Sequence, residues 1–389
     1  MKVLVIHTYY KLKGGEDSVV ANEIELLRAH GNTVELLSFN NNGNTFLKLV
    51  QLPFNYAAYR QTKARIESFL PDVVHIHNLH FSGSASVIYA LKIYGIPIVM
   101  TLHNYRLLCP SGSLFHQNQL FLDSTTGGFP WKAVKKGVYQ NSSLITFWLA
   151  LSMYIHEKAL TWKTVDQFIL LGEHAKALFA NSRLGPYADQ MVIKPNFCYP
   201  GTLNKTTSMP SYFLYVGRLT EEKGLPVLLA AFAGNGLPLK IAGTGPMKQL
   251  AAEYSSRYHN IIFLGEQRKE EINELLHHTI ALIFPSVWYE TFGMVVVEAF
   301  SKGVPVITSD LGNMKNLVTH QVNGLTFHPG DSSDLSKKAR YYYDLPAAEK
   351  KNYRQHAHDT YLENYSSKHN LAQLMAIYQS AINKHSYPL

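Results

Sequence analysis

Two glutamates, Glu290 and Glu298, bracket seven residues that carry no charged side chain. If a helix begins near the glycine between them, its first backbone amides lack partners inside the helix and can bind an anion. Glu298 would lie within that apolar helix, where a carboxylate needs a partner, and a ribose diol can donate two hydroxyls to it. An ordinary ion pair with Lys302, one turn further on, is the alternative. The amides in question belong to Phe292, Gly293, Met294 and Val295.

Charged side chains before this helix could complete a site for a phosphorylated ligand. Glu290 lies in the preceding loop, where it could hold ligand hydroxyls or could simply be solvated. Arg218 and Lys223 occur in GRLTEEKG, directly after the predicted strand FLYV. A guanidinium fork and an ammonium point charge together suit a diphosphate. Pairing with Glu221 and Glu222 is the alternative for either cation.

Glycine-containing turns follow several predicted strands and could bring backbone amides close to a phosphate. Gly14 and Gly15 stand in KGGED after the first predicted strand, although a Gly-Gly pair often marks no more than a turn. Gly217 and Gly243 begin comparable turns in the second half of the chain. In IAGTGP, Lys248 stands where GxGxxG needs a third glycine, so the sequence does not support a nicotinamide-binding fingerprint.

Histidines offer a further set of polar groups. His103 ends the predicted strand PIVMTLH, where it could hydrogen-bond a ligand hydroxyl, stabilise charge or serve the structure alone. His75 and His77 are spaced closely enough for a metal pair, but alternate residues of a strand face opposite sides. Since no Asp-x-Asp occurs either, the sequence predicts no metal site and no cofactor.

Short apolar runs rich in valine and isoleucine alternate with helix-like segments along the chain. Continuous hydrophobicity indicates strands covered on both faces, as in parallel sheets with crossover helices. The predicted strands are KVLVIH, TVELLSF, DVVHIH, PIVMTLH, QFILLG and MVIKPN in the first half, and FLYVGR, LPLKIAG, IIFLG, IALIFP and VPVITSD in the second. Ligands bind at the carboxyl ends of such strands, which is where the residues above fall.

This alternation predicts an α/β protein with two Rossmann-like doubly wound domains that face a central cleft. The domains would span residues 1–200 and 201–389. The break is expected near CYPGTLNKTTSMPS (198–211), where Pro, Gly, Ser and Thr collect. The amphipathic segment NLAQLMAIYQSAI, near the end of the sequence, could pack back on the first domain.

The composition, with 46% hydrophobic and 16% charged residues among 389, indicates a globular protein. Two cysteines cannot form a disulfide framework, and the longest apolar run is too short to span a bilayer. We therefore expect a cytoplasmic protein. The net charge of +8 favours an anionic partner, but the basic residues are dispersed, so we expect no nucleic-acid partner.

Five segments, in order, resemble the retaining nucleotide-sugar glycosyltransferases of the GT-B fold, specifically glycosyltransferase family 4. They are KGGE, TLHNYRLLCPSG, KPNF, GRLTEEKG and ETFGMVVVEA, the last with the E-x7-E spacing of that family. The resemblance implies metal-independent transfer of a hexose-type sugar, with Arg218 and Lys223 neutralising the donor diphosphate. It also implies that Glu298 binds the ribose, Glu290 the sugar hydroxyls, and His103 the sugar near its reacting face.

The resemblance says less about the acceptor. No dedicated general base is implied, because the departing phosphate is thought to take the acceptor's proton, and we expect Glu16 and Asp17 to touch the acceptor. Residues 131–163 are typical either of a long core helix or of an interfacial helix on an anionic membrane. Their lysines are Lys132, Lys135, Lys136, Lys158 and Lys163.

We therefore expect a glycan or a polyprenyl-diphosphate-linked acceptor in cell-surface polysaccharide synthesis, and a peripheral position on the inner leaflet of the plasma membrane. A GT-B-like sugar-nucleotide epimerase would bind the same donor without an acceptor, and a binding module with a decayed site would turn nothing over. E-x7-E together with GRLTEEKG favours the transferase. UDP is the expected nucleotide, on its frequency in the family alone.

Overall fold

The computed structural model describes residues 1–10, 14–42, 45–200 and 211–386. Most of the predicted domain break, residues 201–210, therefore lies outside the described residues. The described strands, in chain order, are β1 (Lys2–Tyr9), β2 (Thr33–Asn40), β3 (Val73–Ile76), β4 (Ile98–Thr101), β5 (Phe115–His116), β6 (Gln119–Leu120), β7 (Gln167–Leu170), β8 (Met191–Ile193), β9 (Tyr212–Val216), β10 (Leu239–Ala242), β11 (Ile261–Gly265), β12 (Thr279–Phe284), β13 (Val306–Ser309) and β14 (Gly324–Phe327).

Helices cover most of the remaining described chain. They are α1 (Gly15–Ala29), α2 (Thr45–Gln51), α3 (Tyr56–Phe69), α4 (Ser86–Tyr94), α5 (Trp131–Lys136), α6 (Ser143–Lys158), α7 (Glu173–Ala180), α8 (Leu225–Asn235), α9 (Lys248–Arg257), α10 (Lys269–His277), α11 (Met294–Ser301), α12 (Met314–Leu317), α13 (Ser332–Asp344), α14 (Ala347–Asn364) and α15 (Ser367–Ser386). Two 3-10 helices span Thr161–Thr164 and Gly185–Gln190. Among the described residues, no helix combines the length and the apolar character that crossing a bilayer requires.

The chain divides into two compact units. The first unit comprises the described parts of Met1–Leu114 and Phe121–Asn196, together with the chain from Lys368 onward. The second unit comprises the described parts of Phe115–Leu120 and Phe197–Ser367. A short hairpin, β5 with β6, therefore belongs to the second unit although its neighbours in sequence belong to the first.

The first unit contains a six-stranded parallel sheet in the order β2-β1-β3-β4-β7-β8. Its central strands β1 and β3 bury almost every side chain, which requires cover on both faces of the sheet. Helix α1 covers one face through Val20 and Leu27, and α15 contributes Leu374 and Tyr378 to the same core cluster. The direction of strand order reverses between β1 and β3.

The second unit contains another six-stranded parallel sheet, in the order β11-β10-β9-β12-β13-β14. This is the Rossmann order, and its switch point, where ligands bind in such folds, lies between β9 and β12. The sequence did not predict β14, because its four residues, GLTF, give too short an apolar run. The predicted fold class, with two Rossmann-like parallel sheets, is confirmed.

The single helix considered for residues 131–163 is wrong. Helix α5 ends at Gly137, which has a φ of 59° and turns the chain away from helical geometry. Helix α6 then begins after Ser142, whose hydroxyl accepts a hydrogen bond from the amide of Ile145. These two end signals lie only five residues apart and were not recognised within the lysine-rich, aromatic pattern.

Candidate active site

Strands β9 and β12 are neighbours in the second sheet, and the loops that follow them are in contact. The amide of Val287 donates to the carbonyl of Glu222 at 2.9 Å. A Cβ on Gly224 would lie 1.8 Å from the carbonyl oxygen of Pro285, so only a glycine lets the loops approach so closely. The structure thereby brings GRLTEEKG against the loop that leads into α11.

Lys223 and Glu290 form an ion pair at this junction. The ammonium Nζ lies 2.7 Å from Oε1 and 3.0 Å from Oε2 of the carboxylate. The Glu290 side chain is 5% exposed and also accepts a hydrogen bond of 2.6 Å from the hydroxyl of Ser286. Two sequence alternatives are therefore wrong: Glu290 is not a solvated loop carboxylate, and Lys223 pairs with it rather than with Glu221 or Glu222.

Helix α11 begins at Met294, with Gly293 as its N-cap, close to the predicted start. The amides of Val296 and Val297 already donate to the carbonyl of Gly293, so the first helical turn closes there. Earlier amides, those of Phe292, Gly293, Met294 and Val295, precede this bonded turn, and the helix dipole favours negative charge beside them. The geometry therefore suits an anion next to the Lys223–Glu290 pair.

Glu298 lies on α11 and is half-buried. Burial raises its pKa, while the nearby charges of Lys269 and Lys302 act in the opposite direction. In the part of the chain that the structure describes, its carboxylate has no ion-pair partner within 4.0 Å, so the alternative pair with Lys302 is not formed. Its carboxylate is therefore partly exposed, with two lysines near enough to influence its pKa.

Arg218 is the exposed cation of the same junction. Its guanidinium lies 3.7 Å from the carboxylate of Glu222, with 65% of the side chain exposed, so the pairing alternative is realised only as a loose contact. The hydroxyl of Tyr215 donates to its backbone carbonyl at 2.7 Å, which fixes the main chain beneath it. A long cationic side chain on a fixed backbone can turn toward a phosphate at little cost.

Gly217 and Gly243 use their amides inside the protein. The amide of Gly217 donates to Ala242 at 3.1 Å, and that of Gly243 donates to Gly265 at 2.7 Å. Gly243 has a φ of 144°, and a Cβ there would lie 1.9 Å from the carbonyl oxygen of Gly217. The structure thus gives Gly243 a packing role beneath the Arg218 loop.

In the first unit, Gly14 and Gly15 open α1 directly after β1. The amide of Gly14 donates to the carboxylate of Asp17 at 3.1 Å, and Asp17 also contacts Nε2 of the buried His7 at 2.9 Å. Glu16 is largely buried without a hydrogen-bond partner for Oε1 among the described residues. Burial, with a further contribution from the Asp17 charge, raises the pKa of Glu16 to about 8, so this carboxyl is protonated at neutral pH.

His103 lies two residues beyond β4, and His77 lies just beyond the neighbouring strand β3. Nε2 of His103 is 2.9 Å from Nδ1 of His77, and the two rings stack with centroids 5.2 Å apart. Burial lowers the pKa of His77 to about 3 and that of His103 well below its ordinary value. Both rings are therefore neutral at physiological pH, which suits His103 for hydrogen bonding rather than for carrying a charge.

The argument from strand alternation was wrong for His75 and His77. Only successive residues of a strand face opposite sides, whereas residues i and i+2 lie on the same face, and both rings accordingly face Glu23 of α1. Oε1 of Glu23 lies 3.0 Å from Nδ1 of His75 and 3.1 Å from Nε2 of His77. Its other oxygen accepts a hydrogen bond of 3.0 Å from Lys194 of the KPNF segment. Sequence reasoning missed Glu23 and Lys194; the signal was a glutamate on the apolar face of a predicted helix.

Glu23, His75 and His77 offer ligand atoms that lie within 4.8 Å of one another, as a metal site would. The surroundings do not fit a cation. The Lys194 ammonium already compensates the carboxylate, and Nδ1 and Nε2 of His75 contact the hydroxyls of Tyr378 and Thr101 at 2.8 Å. This cluster is an internal ion-pair network.

The surface formed by α5 and α6 combines buried and exposed apolar groups. Leu149 and Ala150 of α6 are buried in the unit. Trp131, Leu144 and Leu160 expose 56%, 79% and 57% of their areas. All five lysines predicted for this region, Lys132, Lys135, Lys136, Lys158 and Lys163, are exposed. One side of the segment is therefore buried, and the other exposes lysines and apolar side chains; the interfacial interpretation stays a prediction.

Two family models match this chain, one in each half. The model described as Glycosyltransferase Family 4 matches residues 13–145, and the model described as Glycosyl transferases group 1 matches residues 204–359. The second match contains both glutamates of E-x7-E and the whole GRLTEEKG segment.

Individual relatives agree with these matches. The phosphatidyl-myo-inositol mannosyltransferase of Mycobacterium leprae is 26% identical over 359 residues, which cover 86% of each chain. The uncharacterized glycosyltransferase MJ1607 of Methanocaldococcus jannaschii is 32% identical over 130 residues, which cover 32% of this chain and 33% of that protein. This chain thus spans about a third of the length of some of the curated relatives that it matches.

Solved structures share the fold. Anabaena Alr3699/HepE in complex with UDP has a TM-score of 0.68 at 17% identity, over 98% of this chain and 100% of that one. Such identity supports the fold alone, while the family matches support the relationship. The chain therefore belongs to the GT-B glycosyltransferases, with a family 4 region in its first half and a glycosyl transferases group 1 region in its second.

Proposed function

We propose that the protein is a retaining glycosyltransferase that moves a hexose-type sugar from a UDP-sugar to a glycan or a polyprenyl-diphosphate-linked acceptor. The observation that carries this proposal is the junction behind β9 and β12, where Lys223, Glu290 and the start of α11 lie together. Relatives add support: HepE has been crystallised with UDP-glucose, and the mycobacterial relative is a mannosyltransferase. The family matches do not favour the sugar-nucleotide epimerase.

The chemistry follows from where charge develops. Sugar transfer passes through an oxocarbenium-like state as the bond from the anomeric carbon to the diphosphate breaks and negative charge grows on the leaving group. Arg218, Lys223 and the first amides of α11 would already be oriented toward that charge. The acceptor oxygen would attack on the same face, and its proton would pass to the departing phosphate. We therefore propose neither a dedicated base nor a metal.

The remaining roles are proposed from the resemblance and the geometry together. Glu298, a carboxylate that lacks an ionic partner in the described chain, would bind the ribose hydroxyls. Glu290 would bind sugar hydroxyls with one oxygen while Lys223 shares its charge with the diphosphate. His103 would hydrogen-bond the sugar, the amides at Gly14 and Gly15 would assist the donor, and Glu16 and Asp17 would contact the acceptor.

Calorimetric titration of UDP, GDP and ADP without metal tests this proposal. We expect one nucleotide to bind, and Glu298→Ala to weaken its binding about 10- to 100-fold, as loss of hydrogen bonds to a charged group implies. Glu253→Ala, which removes an exposed helical carboxylate from the same unit, is the matched control and should bind like the wild type. Absence of binding by all three nucleotides, or equal binding by both variants, would contradict the donor site.

We also propose that the exposed face of α5 and α6 rests on an anionic membrane, on the cytoplasmic side, in cell-surface polysaccharide synthesis. Exposed lysines attract anionic headgroups, while Trp131 and Leu144 supply apolar contact at the interface. Co-sedimentation with phosphatidylglycerol vesicles should exceed that with phosphatidylcholine vesicles and fall in high salt. Lys135→Ala/Lys136→Ala should reduce it severalfold. Equal sedimentation with both lipids would refute the membrane proposal.

A further inference from the structure

A cavity of about 110 Å³ lies within the first unit, beside the ring of His103. Its walls come from the end of β4, the start of α4, one side of α6 and the 3-10 helix at Thr161–Thr164. An apolar cavity of about 150 Å³ accommodates benzene, so this one has room for about four or five carbon atoms. Its surface is mainly apolar, and the apolar side chains include those of Leu79, Ala85, Met100, Leu102, Met153 and Trp162.

Several polar side chains in the cavity wall use their hydrogen-bonding groups inside the protein. The side-chain amide of Asn78 donates to the carbonyl of Thr8 at 3.1 Å, and its oxygen accepts from the backbone amide of His80 at 2.8 Å. Nε2 of His156 donates to the carbonyl of Pro53 at 2.8 Å. A sugar in the cavity would therefore bury hydroxyls that find few partners there, whereas a hydrocarbon group needs none.

Arg106 is the one residue with a permanent charge among the described residues that line the cavity. In the part of the chain that the structure describes, no carboxylate lies within 4.0 Å of its guanidinium. Burial raises the pKa of Glu16 to about 8 although the charge of Arg106 lowers it, so that carboxyl is neutral at pH 7. A partly buried cation without a negative partner favours an anionic ligand.

Contacts on several sides hold the Arg106 guanidinium in place. Its Nη1 donates to the carbonyl of Pro110 at 3.0 Å, and the ring of Tyr139 lies 5.8 Å from Cζ. Gly112 packs against Nη2, since a Cβ at that glycine would lie 2.8 Å from it. Nε is buried without a hydrogen-bond partner among the described residues. A planar guanidinium held in this way is suited to binding a phosphate.

We propose that the cavity binds the first isoprene unit of a polyprenyl-diphosphate-linked acceptor, and that Arg106 binds the diphosphate of the same molecule. The isoprene unit next to the diphosphate is a branched hydrocarbon of about the size of the cavity and carries no polar group. Arg106 borders the cavity, so a phosphate on its guanidinium stands beside that unit. This inference rests on the proposed function and chooses the lipid-linked acceptor over the free glycan.

The position of α6 agrees with a lipid-linked ligand. This helix lines the cavity through Ser152, Met153 and His156. It also exposes Leu144 and Ile155, by 79% and 43% of their areas, as part of the face proposed to rest on the membrane. The cavity therefore lies behind the surface from which an isoprenoid chain would come.

Calorimetric titration of the full-length protein with farnesyl diphosphate, below its micelle concentration and without a sugar donor, tests the proposal. Two probes each carry half of the ligand: inorganic diphosphate lacks the isoprenoid, and farnesol lacks the charge. Farnesyl diphosphate should bind at least about 10-fold more tightly than either of them, because only it occupies both the cavity and the guanidinium.

Two variants separate the two parts of the site. Arg106→Gln removes the charge and should weaken binding of farnesyl diphosphate about 10- to 100-fold. Ser152→Leu fills the cavity from α6 and should weaken binding about 10-fold, because the isoprene unit loses its apolar contacts. The matched controls are Lys92→Gln, at an exposed cation of α4, and Ser143→Leu, at an exposed serine of α6; both should bind like the wild type.

Nucleotide binding distinguishes an acceptor site from a donor site. Arg106→Gln and Ser152→Leu should bind the preferred nucleotide like the wild type, since the proposed contacts of Glu298 and Lys223 to it lie in the second unit. Loss of nucleotide binding in Arg106→Gln would assign the guanidinium to the donor and overturn the proposal.

The remaining outcomes are equally decisive. Equal binding of farnesyl diphosphate and inorganic diphosphate, or a Ser152→Leu variant that binds like Ser143→Leu, would exclude the isoprene subsite. Binding of glucuronic acid that depends on Arg106, without binding of farnesyl diphosphate, would show that the site takes an acidic glycan instead. If Arg106→Gln does not fold, the wild-type preferences and Ser152→Leu still decide. If farnesyl diphosphate binds as expected but UDP, GDP and ADP do not, the proposed function fails while the prenyl diphosphate site stands.

Discussion

The Lys223–Glu290 pair permits a prediction whose magnitude follows from burial. Lys223→Met leaves a carboxylate that is 5% exposed with Ser286 as its remaining donor, whereas Glu290→Gln leaves an ammonium that is 18% exposed and can turn toward water. Breaking a buried pair costs about 3–5 kcal/mol. We therefore expect Lys223→Met to lower the free energy of unfolding by about 3 kcal/mol, and Glu290→Gln by about 1 kcal/mol. The double variant should lose less than the sum of the two, because no unpaired charge remains.

Urea unfolding without nucleotide measures these differences. Trp288, the tryptophan of the second unit, lies 5.3 Å from the Lys223 ammonium and reports on this unit by fluorescence. Asp344→Asn, which breaks an exposed pair with Arg340 in the same unit, is the control and should leave the unfolding midpoint almost unchanged. Equal losses for the two single variants, or a loss for Lys223→Met no larger than the control's, would refute the reasoning from burial.

Two further predictions concern Glu16 and Gly243. Because the folded pKa of Glu16 is about 8 and its ordinary value is 4.5, stability contributed by the protonated carboxyl is lost between these pH values. Glu16→Gln should match the wild type in thermal unfolding near pH 4.5 and be more stable than it by about 5 kcal/mol near pH 9, with Glu25→Gln, which changes an exposed carboxylate of the same helix, as the control. Gly243→Ala should destabilise the second unit by at least about 3 kcal/mol, because the added Cβ would clash with the backbone carbonyl of Gly217. Gly234→Ala is the control: it lies on α8 with open space around it and should stabilise the unit by about 0.5–1 kcal/mol.

Much of the fold follows from local pattern. Eleven strands were predicted from continuous apolar runs, because a strand buried on both faces leaves that signal without help from its neighbours. The start of α11 was predicted for a related reason, since the glycine at 293 stands directly before an uninterrupted apolar run. Strand β14 was missed because its apolar run is only four residues long. The break between α5 and α6 was missed because its helix-end signals lie within a longer lysine-rich, aromatic segment.

Pairing between distant residues could not be predicted in the same way. The sequence offered Lys223 only its neighbours Glu221 and Glu222 as carboxylate partners. Glu290 is 67 residues away, and it becomes the partner only because β9 and β12 are adjacent in the sheet. The sequence predicted that both residues follow a strand. It did not predict the order of the strands in the sheet, which determines which residues come into contact.

The contacts among Glu23, His75, His77 and Lys194 could not be predicted from the sequence for the same reason. Lys194 and Glu23 are separated by 171 residues, and the sequence analysis singled out neither of them. A buried carboxylate without compensation is costly, so once α1 packs against β3 a cation must accompany Glu23. Four parallel strands and α15 together bring that cation, two histidines and Tyr378 to one point. The surroundings of His103 therefore depend on strand adjacency, and a motif around His103 alone cannot predict them.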